Sequence, residues 1–241
     1  MKAQRLGRPL SIESVQDGIA YALPPGVRFA QTNLFLNVAC ADQLYIKTPS
    51  ERGLADYRRF VKSPQPHPEE IRSPESQERF DNRADALTRF PELASVAALD
   101  EEIAHYLVVH KLQYERLRDR TTIGIPQARF GVICDKRLGL FDVYKAALFQ
   151  QRIAGTTLWR MFDFAAWQVA SSWRPLLPTI AQQINELLRS GLETHVDWNI
   201  QNFVFNEAET RLYYVDMKPT TFLSRESNEK NLKGIRDHFG I

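Results

Sequence analysis

The chain has little cysteine: two residues, Cys40 and Cys134, in 241. They stand far apart and form neither a CxxC pair nor a zinc-like spacing, which excludes a thiol-based metal site. Two reduced thiols, each acting as a small buried hydrophobe, are the expectation. Long apolar runs are also missing. No window approaches the ~20 apolar residues of a membrane span. The N-terminal stretch MKAQRLGRPLSIESVQDGIAYALPPG is basic but lacks the continuous apolar core of a signal peptide. A cytoplasmic location is the default expectation, and a specialised secretion route would leave no sign here. Charge of one sign is absent too. Lys and Arg number 31 against 29 Asp and Glu, a formal net charge of +2, and the basic residues are dispersed. That balance makes no case for a nucleic-acid partner or a membrane surface. There is no internal repeat and no low-complexity array.

What remains is ordinary globular composition, with 44% hydrophobic and 25% charged residues. The length suits one large domain or two lobes sharing a core. Pro24 to Gly26 is turn punctuation. Three short strands with tight turns follow: VRF (27–29), FLNVAC (35–40) and LYIK (44–47), an antiparallel meander with Ala30-Gln31-Thr32-Asn33 as its first loop and Lys47 at its end. Residues 50 to 92 are rich in Pro and charge and read as an irregular insertion, either a substrate-facing flap or a solvated linker, with a short helix within 77–90. Residues 93–119 read as an amphipathic helix on the spacing of Ile103, Leu107, His110 and Tyr114 or Leu117. Strands are expected at 124–135 and 141–155, with a Gly-Leu turn at 139–140. A helix is expected over 156–173, capped by Thr156 or Thr157, with Trp159, Phe162, Ala166 and Val169 on its apolar face. A further helix starts at Pro175 and closes at Gly191. The order is α+β: a small β-rich lobe with one helix, then a mainly helical lobe carrying a polar β-hairpin.

That hairpin holds the informative stretch, HVDWNIQNFVFNEAETRLYYVDMKP, residues 195–219. His195, Asp197 and Asn202 interleave with apolar residues, and two strands separated by a turn lead to Asp216. Buried polar groups are costly without partners. They staple a turn, or they hold a metal and a substrate. His67, His105, His110 and His238 show no joint metal spacing, and the four tryptophans suit packing better than base stacking.

His195-Val196-Asp197-Trp198-Asn199-Ile200-Gln201-Asn202 resembles the kinase catalytic loop H-R-D-x-x-x-x-N. At average composition His, Asp and Asn take this spacing by chance roughly once in a hundred chains of this length, so the surrounding elements matter. They follow in the order of the protein kinase-like superfamily, and the chain is most similar to its aminoglycoside phosphotransferase-like branch, over about residues 27 to 220. The resemblance implies one two-lobed kinase-like domain. Its N-lobe would cover about 1–153, with the insertion at about 50–92, and a minimal C-lobe about 154–241. It implies an ATP- and magnesium-dependent phosphotransferase that moves the γ-phosphate to a hydroxyl of a small molecule or protein.

In that scheme Asp197 orients the attacking hydroxyl, Asn202 and Asp216 hold magnesium, and His195 is architectural. Lys47 pairs with the α and β phosphates and is held by Glu102 or its neighbour Glu101. Gln151 to Ile153 contact adenine, and Thr32 and Asn33 donate to phosphate. The departures are plain. No G-x-G-x-x-G occurs, Asp216-Met217-Lys218 stands where the family has DFG, and only 25 residues follow Asp216, without A-P-E. The acceptor site is then expected to be open, built from the insertion, or completed by a protein partner. Lys218, ahead of Pro219, either neutralises a phosphate or faces solvent. A pseudokinase scaffold that binds a nucleotide or a protein is the alternative. AMP transfer through the same metal site is a third possibility.

Overall fold

A computed structural model describes residues 2–31, 36–55, 88–137, 141–163, 168–217 and 225–240. These residues fall into two units, each with its own apolar core. The first takes residues up to 55, then 88–111 and 127–152; the second takes 112–126 and 153 onward.

The first unit is built on a mixed sheet. Its strands are β1 (Gln4–Arg5), β2 (Ala20–Ala22), β3 (Ala30–Gln31), β4 (Leu36–Ala41) and β5 (Leu44–Pro49). Helix α1 (Glu101–Arg120) follows, its part from Leu112 onward belonging to the second unit, then β6 (Ala128–Arg137) and β7 (Phe141–Gln151). The spatial order is β1-β2-β6-β7-β5-β4-β3. β1, β2 and β6 run parallel; the remaining pairs are antiparallel. The antiparallel part contains the meander, with one shift: its first strand is Ala30–Gln31, where the sequence suggested a loop after 27–29. β1 and β2, which add the parallel part, come from residues 1–24, and the three-residue strand Ala20-Tyr21-Ala22 is too short to show an alternation. Lys47 does not end its strand, because β5 continues to Pro49 and Lys47 pairs with Val38 and Leu148. Likewise the strand expected to run to Gly155 stops at Gln151. Leu10, Leu44, Ile46 and Phe149 are fully buried in this unit's core.

The helix read over 93–119 is broken. A turn of helix at Ala94–Ala97 stops, and the Asp100 side chain accepts the Ile103 N–H at 3.1 Å to start α1. The face predicted for it is buried: Ile103, Leu107, His110, Tyr114 and Leu117 are all under a tenth exposed. His110 donates Nδ1–H to the Tyr106 carbonyl at 2.8 Å, which satisfies it locally. On the same helix, buried Lys111 donates to both Asp17 and Glu92. Asp17 also accepts the Phe130 N–H at 2.7 Å, tying α1 to β6. Gly18 permits this approach: its φ is +73°, and a Cβ there would lie 1.8 Å from the Glu92 carbonyl oxygen.

Besides the end of α1, the second unit holds β8 (Thr156–Thr157), one helical turn at Leu158–Met161, β9 (Phe162–Asp163) and β10 (Gln168–Val169). The helix expected across 156–173 does not form. Phe162 and Asp163 instead pair antiparallel with Val169 and Gln168. The apolar spacing misled because Phe162 and Val169 are buried as cross-strand neighbours, whereas Trp159 is 42% exposed. Ala166 lies outside the described residues. Thr157 does cap the single turn, accepting the Arg160 N–H at 3.4 Å.

Helix α2 (Leu177–Arg189) starts later than expected: Pro175 lies in a preceding 3-10 turn, Ser171–Leu176, and Pro178 stands in the first turn of α2, which is closed by Gly191 at φ +71°. Its Ile180, Ile184 and Leu187 are fully buried, each worth about 1.5–3 kcal/mol by transfer. The hairpin of β11 (Phe203–Asn206) and β12 (Arg211–Tyr214) comes next, and helix α3 (Arg225–Phe239) ends the unit. β11 lies between β8 and β12. The far edge of β12 is covered: Gln183 of α2 accepts the Leu212 N–H at 2.7 Å and donates to the Thr210 carbonyl at 3.0 Å. Cys40 and Cys134 are free thiols, but Cys40 is exposed, against expectation, because it lies on the face of β4 opposite buried Ala39. Among the described residues, no helix is long and apolar enough to cross a membrane.

Candidate functional site

The stretch 195–216 folds as a loop feeding the β11–β12 hairpin. Several of its short polar residues close local rings. Asp197 accepts the Asn199 N–H at 3.1 Å through its carboxylate, and Asn199 accepts the Gln201 N–H at 3.0 Å. Two successive side-chain turns therefore shape the loop. Val196 and Trp198 are buried on either side of Asp197, which leaves Asp197 half-buried at the surface. Trp198 anchors the loop: its indole donates to the Glu193 carbonyl at 2.9 Å and stacks on Phe203, ring centroids 5.6 Å apart.

The hairpin register then joins the two halves of the motif. Phe203 pairs with Tyr214, so Asn202 faces Val215, and the Asn202 carbonyl accepts the Val215 N–H at 2.8 Å. Asp216 is the next residue. The Asn202 Nδ2 donates to the Asp197 carbonyl at 3.3 Å, so Oδ1 is the acceptor end of the amide. Asp197, Asn202 and Asp216 are thus gathered in one unit, each half-buried.

Beneath Asp197 lies Tyr214, fully buried, whose hydroxyl accepts the Asp197 N–H at 2.9 Å. Burial pushes this hydroxyl well above the ordinary 10; the negative charges of Asp216 and Asp197 push the same way, and the Asp197 N–H pulls against them. Tyr214 therefore stays neutral beside two carboxylates.

His195 is buried, and its Nδ1 lies 3.2 Å from Arg116 Nη1. A guanidinium only donates, so Nδ1 accepts. The backbone is held too: the His195 carbonyl accepts from the Gln113 amide, and its N–H reaches the Leu192 carbonyl at 2.9 Å. This is a structural setting for the ring.

The other sequence candidates are placed as follows. Ile153 is in the second unit with the motif; Lys47, Glu102 and Gln151 are in the first. Lys47 is half-buried on β5 and Glu102 half-buried on α1. Gln151 gives its N–H to the Gln127 carbonyl at 2.8 Å, and Arg152 gives its own to Gln43 at 2.8 Å. Thr32, Asn33, Lys218, Pro219 and the 56–87 part of the insertion lie outside the described residues, as does the side chain of Glu101. Sequence reasoning missed Tyr214, Arg116, Gln113 and Asn228. Tyr214 was visible only as one of two tyrosines in LYYV, and the other three carried no local signal.

Among the described residues, no group of three or more His, Cys, Asp or Glu stands ready to hold a metal. The donors at hand are one amide oxygen and two carboxylates. That set suits a hard cation which keeps most of its ligands as water and phosphate, and it does not suit zinc. The sequence matches no protein-family profile and no curated protein.

Proposed function

We propose that this protein is a small ATP- and magnesium-dependent phosphotransferase of the protein kinase-like type, with the first unit as its N-lobe and the second as a reduced C-lobe. One observation carries the reading: Asp197, Asn202 and Asp216 lie in a single hairpin-and-loop unit, each half-buried, with Asn202 bonded to the Asp197 carbonyl, Tyr214 to the Asp197 N–H, and the Asn202 carbonyl to the residue before Asp216.

Phosphoryl transfer asks a protein for positioning and charge neutralisation more than for covalent chemistry. Asp197 would accept or orient the hydroxyl proton of the acceptor. Asn202 Oδ1 and Asp216 would hold magnesium, which supplies positive charge to the phosphate oxygens. Lys47 would serve the α and β phosphates, with Glu102 or Glu101 as its partner. An adenine edge would be read along the backbone of Gln151 to Ile153, where the N–H groups of Gln151 and Arg152 already bond the Gln127 and Gln43 carbonyls.

The test is calorimetric titration of ATP with and without magnesium, on the wild type and on Asp216→Ala, followed by an acceptor screen with Asp197→Ala as the catalytic control. Magnesium-dependent binding that Asp216→Ala loses, and turnover that Asp197→Ala abolishes with the fold intact, are the expected results. Full activity in both variants would sink the assignment. Absence of nucleotide binding under every condition would favour a protein-binding scaffold, and product mass would separate phosphoryl from AMP transfer.

A further inference from the structure

Helix α3 carries a polar side chain in a place where packing alone would put leucine. Asn228 is 8% exposed, on the helix that also buries Leu232 and Ile235. Asn is a weak helix former, and burying its amide is costly unless both ends are bonded. Here both are. Oδ1 accepts the Trp198 N–H at 2.9 Å, and Nδ2 donates to the Val196 carbonyl at 3.0 Å. The partners fix the amide's orientation, since the N–H needs an acceptor and the carbonyl needs a donor.

These two backbone groups flank Asp197. The Asp197 N–H is itself held by Tyr214 at 2.9 Å. Three consecutive residues are therefore tied down, the outer two by a side chain about thirty residues away on another element. A peptide rotation on either side of Asp197 would swing its carboxylate, and Asn228 opposes both rotations.

We propose that Asn228 is a positioning residue for Asp197: it clamps the backbone on both sides so that the carboxylate meets the acceptor hydroxyl in one geometry. This rests on the phosphotransferase reading. A misplacement of about 1 Å costs on the order of a hundredfold in rate, so the clamp acts on kcat and leaves nucleotide affinity alone.

The experiment compares wild type, Asn228→Ala and Leu232→Ala by hydrogen exchange and by steady-state kinetics. Leu232→Ala loses packing on the same helix and keeps the amide, so it reports plain destabilisation. In Asn228→Ala, exchange should rise across 193–203 while β12 stays protected, and kcat should fall roughly 10- to 100-fold with KM for ATP within about twofold. Leu232→Ala should lower the melting temperature with a much smaller effect on kcat. Unchanged exchange in the loop overturns the clamp, whatever the kinetics. Raised exchange with wild-type kcat, or an equal loss of kcat in Leu232→Ala, overturns the positioning role and leaves the phosphotransferase reading standing. A wild type without turnover on any acceptor overturns that reading, and the catalytic meaning of the clamp falls with it.

Discussion

Tyr214→Phe removes one oxygen atom from beneath Asp197. That oxygen accepts the Asp197 N–H at 2.9 Å and is fully buried. Phe keeps the ring, which packs on Phe203 with centroids 5.4 Å apart, so the apolar contribution survives. What is lost is the partner of a backbone donor, and a donor left unsatisfied costs about 1–3 kcal/mol. The bond is only part-buried, so the lower part of that range, about 1–2 kcal/mol, is expected at neutral pH. Urea denaturation measures this as a lower midpoint with an unchanged slope. The pH dependence gives a second check. Tyr214's folded pKa lies above its unfolded value near 10. Its contribution is therefore complete below pH 10 and is lost as pH rises further, at up to about 1.4 kcal/mol per pH unit. Phe has no such loss, so the gap between the two proteins should narrow above pH 10. Tyr21 and Tyr213, also shifted upward, are present in both and cancel. A variant within about 0.5 kcal/mol of wild type at pH 7, or a gap that stays constant through pH 11, would refute the role assigned to this hydroxyl.

Two further outcomes test the first unit. Lys111→Met leaves Asp17 and Glu92 facing each other without their cation. Removing one partner from a fully buried pair costs about 3–5 kcal/mol, and here about 2–3 is expected because both carboxylates reach solvent. Burial opposes the charged form of Glu92, but Lys111 outweighs it and holds the carboxyl below its ordinary 4.5; Lys111 in turn is raised above 10.5 against its own burial. The ion pair thus stabilises between those limits. The difference between Lys111→Met and wild type should be largest near neutral pH and shrink as pH falls below 4.5; a constant difference down to pH 3 would reject the ionic account. Thiol titration of the native protein should label exposed Cys40 quickly and buried Cys134 only on unfolding, and two fast thiols would contradict the burial of β6.

The sequence determined most where physics is local. The face of α1, the closing of α2 at Gly191, the NEAET turn and the β11–β12 hairpin rest on short-range periodicity and turn chemistry, and each was legible. So was the polar pattern of 195–216, because Asp and Asn close side-chain turns within two residues. It failed where non-local pairing overrode local spacing. Phe162 and Val169 read as one helical face and became strand partners, and three residues near Tyr21 joined the sheet in parallel through contacts over a hundred residues away. Only the tertiary structure decided that Asn202 stands opposite Val215, that Tyr214 rather than Tyr213 reaches Asp197, and that Asn228 grips both neighbours of that aspartate. A side chain's polarity is written in the sequence; which buried donor it satisfies is set by how distant elements pack.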